Sequence, residues 1–175
     1  MKEQAEQRKG GKAEPHVDNL LHLYSAKSED DVRLTLYRDH AAWCPYCQKT
    51  LLMLLIKRVP FRVEKINMRS YGDKPKAFLD KVPNGLLPAI ELDGELMTES
   101  LQIMARIERE FTGPEYKVMV PEQEFDRVNQ LLGMERELFG AWCGFIFRPS
   151  MPFGVGGARG GFEATLDRIE QALGV

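Results

Sequence analysis

A Cys-x-x-Cys motif is the part of this 175-residue chain best suited to carry chemistry. Cys44 directly precedes Pro45, and the stretch from Tyr46 to Arg58 is rich in good helix formers. Cys44 therefore stands at the N-terminus of a predicted helix, where unpaired backbone N–H groups and the helix dipole stabilise a thiolate. Cysteines in this setting have pKa values of roughly 3.5–7.5, against about 8.5 when free. The motif predicts an activated thiol at Cys44.

The second thiol of the motif, Cys47, falls in the first turn of the same predicted helix. From there it can attack a mixed disulfide on Cys44, which makes Cys44 the candidate nucleophile and Cys47 the candidate resolving thiol. The alternative is half of a zinc site, which would need two further ligands. The remaining candidates for those ligands are Cys143 and the scattered His16, His22 and His40. Redox chemistry is therefore the favoured interpretation.

Alternating strands and helices must position this motif. The apolar alternation from Val32 to Tyr37 predicts a strand before the cysteine helix, and Phe61 to Ile66 predicts a second strand after it. A strand, helix and strand in succession predict two parallel strands. Asp93-Gly94 is a strong hairpin signal, and it joins the short strands predicted at Pro88 to Leu92 and Glu95 to Met97.

Two further dipeptides could bind a ligand near the thiol. Leu87-Pro88 precedes a strand; a cis bond there would expose the backbone of Leu87, and an ordinary proline at a strand start is the open alternative. Glu99 and Ser100 begin a predicted helix, whose N-terminus attracts an anion. Ser100 could bind a carboxylate and Glu99 an ammonium group. On these residues alone, simple capping with Thr98 as the cap is favoured.

The distribution of apolar residues predicts four parts. They are a polar N-terminal extension at 1–30, an α/β domain at 31–112, a linker at 113–120 and a helical part at 121–175. Within the extension we expect disorder to about His16 and a short surface turn or helix at Leu20 to Tyr24. The helical part contains a Pro/Gly-rich loop from Phe145 to Gly161 and a last amphipathic helix ending near Leu173, with Gly174 as its C-cap.

Composition restricts the class of protein. The net charge of −2 predicts no bulk attraction to nucleic acid or to an anionic membrane. No apolar run approaches the roughly 20 residues that a membrane span needs. Three cysteines favour a reducing compartment over a disulfide scaffold, so we expect a cytoplasmic location, with a plastid as an alternative in a photosynthetic eukaryote.

In this order, the features resemble the thioredoxin-like N-terminal domain of cytosolic-type glutathione transferases. The resemblance is greatest to the cysteine-type classes: the omega-like class and especially the iota-like class of photosynthetic organisms. It implies an α/β domain followed by an all-helical domain, of which 121–175 would represent only a part. The segments that carry the resemblance are Arg38 to Lys49, Glu64 to Arg69, Tyr71 to Pro75, Gly85 to Pro88, Thr98 to Ser100 and, in the helical part, Phe125 to Ser150.

The resemblance implies a role for each candidate residue, with glutathione as co-substrate and no metal. Cys44 would form a mixed disulfide with glutathione, and Lys74 would pair with the glycyl carboxylate. Leu87 would bind the cysteinyl part through its backbone, beside a cis proline. Glu99 and Ser100 would hold the γ-glutamyl end. The implied glutathione-binding set is Pro45, Tyr46, Lys74, Leu87, Pro88, Glu99 and Ser100.

The expected activity is a thiol transfer through Cys44, such as deglutathionylation or disulfide reduction, on a small molecule or a protein thiol. A homodimer is a further expectation, and neither nucleic acid nor membrane is an expected partner. Two alternatives stay open: conventional conjugation of glutathione to electrophiles, and a non-enzymatic module that binds glutathione or an iron–sulfur cluster.

Overall fold

The computed structural model describes residues 20–68, 70, 72–147 and 157–174. The chain divides into two compact units, Met1–Met119 and Val120–Val175. The start of the predicted N-terminal extension and the middle of the predicted Pro/Gly-rich loop lie outside the described residues. Within the described residues, no helix is both long enough and apolar enough to cross a membrane.

A five-stranded mixed sheet forms the centre of the first unit. Its spatial order is β1-β3-β2-β4-β5. β2 and β3 are parallel, as the sequence predicts, and the other neighbouring pairs are antiparallel. The strands are β1 (Leu21–His22), β2 (Leu34–Asp39), β3 (Phe61–Ile66), β4 (Ala89–Leu92) and β5 (Glu95–Thr98).

Three helices cover the sheet, and two more make up the second unit. They are α1 (Pro45–Lys57), α2 (Lys76–Lys81), α3 (Ser100–Glu110), α4 (Phe125–Phe147) and α5 (Gly157–Leu173), with single 3₁₀ turns at Glu29–Asp31 and Glu122–Glu124. α1 begins at the proline of the motif because proline fits the first helical position. This arrangement is the thioredoxin-like α/β architecture that the sequence predicts.

Alternate residues of β2 belong to two different cores. Leu36 lies in a cluster with Leu54 of α1 and Ile103 of α3. Tyr37, the next residue, lies in a second cluster with Phe78 of α2. Because successive side chains of a strand point to opposite faces, α1 and α3 pack on one face of the sheet and α2 packs on the other. The sheet is therefore held between helices, and β2 is buried on both faces.

The prediction of a surface turn or helix at Leu20 to Tyr24 is wrong for Leu21 and His22. Leu21 and His22 form β1, which pairs with Phe61 and Arg62 of β3, and both β1 side chains are buried. The His22 ring stacks on Phe61 with 4.3 Å between ring centroids. A two-residue strand has no periodicity of its own, so its pairing with a distant strand is invisible in the local pattern.

The segment predicted as a linker packs against the first unit. Tyr116 and Met119 contact the larger core cluster. The Lys57 ammonium is buried; it lies 3.0 Å from a carboxylate oxygen of Glu108 and donates to the carbonyl oxygen of Lys117 at 2.9 Å. The other carboxylate oxygen of Glu108 accepts the Met119 N–H at 2.8 Å. A buried ammonium therefore fastens this segment to α1 and α3.

The second unit is an antiparallel pair of helices. Arg127 donates to the carbonyl oxygen of Ala172, Arg168 pairs with Glu137, and the Phe145 and Phe162 rings stack 5.7 Å apart. The loop predicted from Phe145 to Gly161 is wrong at both ends, because α4 continues to Phe147 and α5 starts at Gly157. Packing between the helices outweighs the low helix propensity of the glycines in that stretch. Gly174 adopts a left-handed conformation, as expected of a C-cap.

The residue that ends α1 offers a test of helix capping. Arg58 is the C-cap and has a left-handed backbone, with φ of 59°. Glycine adopts this conformation without the steric cost that a side chain adds. We expect Arg58→Gly to raise the free energy of unfolding by up to about 1 kcal/mol, measured by urea denaturation. A lower stability would show that the stacking of Arg58 on Tyr24, 5.8 Å from its ring centroid, contributes more than the backbone strain costs.

Candidate active site

Three loops at the same end of the sheet carry most of the candidate residues. Tyr37 of β2 pairs with Ala89 of β4, and Ala89 pairs with Thr98 of β5. The loop after β2, the loop before β4 and the loop after β5 therefore leave the sheet at the same end. These three loops carry the cysteine motif, Leu87-Pro88 and Glu99, respectively.

Cys44 is the N-cap residue of α1. Its Sγ accepts a hydrogen bond from the backbone N–H of Cys47 at 3.4 Å, so the sulfur takes the capping position that a serine or aspartate oxygen often holds. Cys44 is partly exposed, whereas Cys47 is buried with 0% exposure. Both thiols are free. The geometry offers one accessible sulfur with a second, protected sulfur beside it.

The pKa values of the two thiols are shifted in opposite directions. Hydrogen bonding from the Cys47 side chain, aided by the backbone N–H groups of Cys47 and Tyr46, lowers the pKa of Cys44 to about 6, although burial and the charge of Asp39 oppose this. The hydrogen bond to Cys44, followed by burial, raises the pKa of Cys47 far above its usual range. At neutral pH the pair therefore holds one thiolate, on Cys44, and one proton, on Cys47.

The contribution of Cys47 to the Cys44 thiolate can be measured. We expect the alkylation rate of Cys44, followed against pH, to have its midpoint near the pKa of about 6. Cys47→Ala removes the side-chain donor, so the pKa of Cys44 and the midpoint should rise, while Cys47→Ser retains a donor and should shift it less. The same midpoint in all three proteins would contradict this assignment of the cause.

Asp39, the last residue of β2, binds the backbone of the cysteine motif. The sequence prediction assigned no role to this residue. One carboxylate oxygen, Oδ2, accepts the backbone N–H groups of Trp43 at 2.5 Å and Cys44 at 3.2 Å. The side chain is fully buried, and Arg38 lies 3.8 Å from its Oδ1. An acidic residue at the end of a strand, just before a functional loop, is a signal that could have identified it.

Leu87-Pro88 contains a cis peptide bond. The carbonyl oxygen of Leu87 lies 4.0 Å from the Sγ of Cys44. Pro88 is buried, and the Leu87 side chain packs on the smaller core cluster. The structure therefore places the backbone of Leu87 directly beside the thiol.

Glu99 and Ser100 lie at the start of α3. Glu99 is the N-cap residue and has a left-handed φ of 69°, which is uncommon for a residue with a side chain. Its side chain is exposed and makes no capping hydrogen bond, and Ser100 is buried. The prediction that Thr98 caps this helix is wrong, because Thr98 is still paired with Ala89 in the sheet.

The aliphatic part of the Lys74 side chain lies against Gly85, two residues before Leu87. Gly85 has a left-handed φ of 63°, and a Cβ atom added there would come within 3.3 Å of the Lys74 Cδ. The Lys74 ammonium lies 6.0 Å from the centroid of the Phe78 ring. The lack of a side chain at residue 85 lets the Lys74 stem pass close to the loop that contains Leu87.

The remaining candidates form the accessible edge of the motif. Pro45 and Tyr46 are exposed in the first turn of α1, and the Lys49 ammonium lies 5.2 Å from the centroid of the Tyr46 ring. Trp43 is 72% exposed. Cys143, the third cysteine, belongs to α4 in the second unit.

Comparison with protein families identifies the domain that carries this site. Residues 43–110 match the family model "Glutathione S-transferase, N-terminal domain". Glutathione S-transferase DHAR2 of Arabidopsis thaliana is 33% identical over 103 residues, which are 59% of this chain and 43% of the relative. Glutathione S-transferase omega-1 of Sus scrofa is 31% identical over 94 residues, 53% of this chain and 36% of the relative.

Solved structures agree on the fold. Glutathione transferase Omega 3C from Trametes versicolor superposes with a TM-score of 0.59 at 22% identity, covering 98% of this chain and 64% of that one. This chain spans about half or less of the length of the two curated relatives above. The region built around Cys44 is therefore similar to the N-terminal domain of glutathione S-transferases, and its relatives include omega-class proteins.

Proposed function

We propose that this chain is a glutathione-dependent thiol transferase with Cys44 as its nucleophile. The observation that carries the proposal is the position of the Cys44 sulfur, which caps α1 and accepts the Cys47 N–H. With a pKa of about 6, roughly nine in ten Cys44 side chains are thiolates at pH 7. A thiolate is the form that attacks a disulfide.

The proposed reaction has two displacements. The Cys44 thiolate attacks the glutathione sulfur of a glutathionylated substrate; a Cys44–glutathione disulfide forms, and the substrate leaves as a thiolate that takes a proton from water. In the second step, the thiolate of a free glutathione attacks the glutathione sulfur of that disulfide. This releases glutathione disulfide and restores Cys44.

Cys47 offers a second route for releasing glutathione from Cys44. After losing its proton it can attack the Sγ of Cys44, which forms a Cys44–Cys47 disulfide and releases glutathione. Two further glutathione molecules then reduce that disulfide and leave as glutathione disulfide. Since Cys47 is buried and its pKa is raised, we expect the route through free glutathione to carry most of the turnover.

The chemistry of the candidate residues supports a proposed glutathione site next to Cys44. The Leu87 backbone, 4.0 Å from the thiol through its carbonyl oxygen, would bind the cysteinyl part, beside Pro88. Lys74 would bind the glycyl carboxylate. Glu99 would bind the γ-glutamyl ammonium, and Ser100 its carboxylate. Pro45 and Tyr46 would complete the site at the exposed start of α1.

The proposal extends to partners and location. The substrate is a glutathionylated small molecule or protein thiol, approached from the exposed side of Cys44. We propose a homodimer in a reducing compartment such as the cytoplasm, or a plastid in a photosynthetic eukaryote, because a working thiol pair needs reducing surroundings.

Mass spectrometry of the reduced protein incubated with glutathione disulfide tests the proposal. We expect one glutathione on Cys44, and a longer-lived adduct in Cys47→Ser, which lacks the resolving thiol. Cys143→Ser serves as the control and should accept glutathione as the unaltered protein does. An adduct confined to Cys143, or none in Cys47→Ser with excess glutathione disulfide, would refute the proposed nucleophile.

A further inference from the structure

Three potential metal-ligand atoms lie close together at the cysteine motif. The sulfurs of Cys44 and Cys47 and one carboxylate oxygen of Asp39 lie within 4.8 Å of one another. The sequence pattern alone supplied only the two thiols. We infer that Asp39, Cys44 and Cys47 together form a binding site for Zn²⁺.

The donor set has the chemistry that Zn²⁺ prefers. Zinc binds cysteine thiolates at about 2.3 Å and carboxylate oxygens at about 2.0–2.2 Å, with tetrahedral geometry. Two sulfurs on one tetrahedral zinc ion lie about 3.8 Å apart, so atoms no more than 4.8 Å apart need to approach by at most about 1 Å. Small side-chain rotations at the start of α1 would be enough for this movement.

Asp39 retains a lone pair for a cation. Its Oδ2 accepts two backbone N–H groups, whereas its buried Oδ1 accepts no hydrogen bond from the residues that the structure describes. A buried carboxylate oxygen without a hydrogen bond is costly, and a bound cation would compensate that cost. Arg38, 3.8 Å from Oδ1, is the nearby positive group that a metal ion would have to accommodate.

Binding of Zn²⁺ to both sulfurs would release the Cys47 proton to solvent, and the resulting charges balance. Two thiolates and the Asp39 carboxylate carry three negative charges, and Arg38 supplies one positive charge. With Zn²⁺ bound, the two charges of the ion and that of Arg38 balance the three ligands, so the buried cluster becomes neutral.

Three protein ligands leave the fourth zinc position open to water or to an incoming thiolate. Zinc bound in this way occupies the Cys44 sulfur that would otherwise attack a disulfide. The site would thus switch off thiol transfer while Zn²⁺ is bound, and a chelator would restore it. This inhibition rests on the proposed function, whereas the binding of zinc does not.

Titration with Co²⁺, which replaces Zn²⁺ and gives a visible spectrum, tests the binding independently of activity. We expect the reduced protein to bind one Co²⁺ with a sulfur-to-cobalt charge-transfer band that one equivalent of Zn²⁺ removes. Cys143→Ser should behave identically, while Cys44→Ser and Cys47→Ser should lose the band. Asp39→Asn should weaken the affinity at least about tenfold, the loss that even an outer-shell change causes.

Each outcome decides the inference. Absence of the band, or a band that survives loss of Cys44 and Cys47, overturns the site; unchanged affinity in Asp39→Asn overturns Asp39 as a ligand. Because Asp39→Asn could disturb the fold, alkylation of the unaltered protein provides a second measurement. Zn²⁺ should protect Cys44 from iodoacetamide and leave Cys143 reactive, and equal reactivity of Cys44 with and without Zn²⁺ overturns the inference. Zinc binding without inhibition of disulfide reduction would count against the proposed function alone.

Discussion

Cys44→Ser is expected to lower the rate of glutathione-dependent disulfide reduction by more than about 100-fold, since loss of a catalytic nucleophile costs orders of magnitude in other enzymes. A serine hydroxyl at this position would still cap α1, because its oxygen can accept the Cys47 N–H that the sulfur accepts now. The fold should therefore be preserved and the chemistry lost. The measurement is reduction of a small mixed disulfide by glutathione, in the presence of a chelator.

Matched variants separate the roles of the three cysteines. Cys47→Ser should retain most of the activity, because free glutathione can release the adduct, and Cys143→Ser should be unchanged. If Cys44→Ser retained disulfide reduction, the proposed function would be wrong. If it lost that reaction but still conjugated glutathione to an aryl halide, conventional conjugation would be the better description. Visible absorbance of anaerobically purified protein would favour an iron–sulfur module instead.

Glu108→Gln is expected to destabilise the first unit by about 3 kcal/mol. Lys57 is 1% exposed and Glu108 is 19% exposed, so removing the carboxylate leaves a buried ammonium without its counter-charge. Breaking buried ion pairs costs about 3–5 kcal/mol, and the partial exposure of Glu108 places the expected loss at the lower end. Hydrogen exchange of the β2 and β3 amides would report the opening of this unit.

Two comparisons distinguish charge from packing in that result. Combining Lys57→Met with Glu108→Gln removes both charges and should recover most of the lost stability. Asp80→Asn breaks the exposed pair between Asp80 and Lys76 and should change stability by less than about 1 kcal/mol. If Glu108→Gln were as mild as Asp80→Asn, Lys57 would be adequately stabilised by the Lys117 carbonyl oxygen alone.

The sequence predicted the parts of the fold that depend on local patterns. The parallel pair β2 and β3, the hairpin at Asp93-Gly94 and the helix after Cys44 all follow from periodicity and turn chemistry. β1 was missed because its two residues acquire their structure by pairing with β3. The start of α5 was missed because glycines disfavour a helix locally, while packing against α4 favours it.

The candidate site likewise combines features that local sequence patterns predict with features that only the folded chain reveals. The position of Cys44 at a helix start could be read from Pro45 and the helix formers that follow it. The support from Asp39 could not, since it depends on a carboxylate folding back onto the backbone of Trp43 and Cys44. The distance between Leu87 and the thiol likewise follows from the register of β4 on β2, which the sequence does not specify. The roles proposed for Lys74, Glu99 and Ser100 stay predictions.

The attachment of residues 116–119 to the first unit determines where this protein can be recombined with its relatives. A chimera joined after Phe111 would replace the segment at residues 116–119. In this protein that segment gives Lys57 the Lys117 carbonyl oxygen and gives Glu108 the Met119 N–H. A foreign segment would then have to present its backbone to Lys57 and Glu108 without the Tyr116 and Met119 side chains that pack this segment on the core. A junction after Met119 keeps this set of contacts within one parent, so domain exchanges made there should fold more readily.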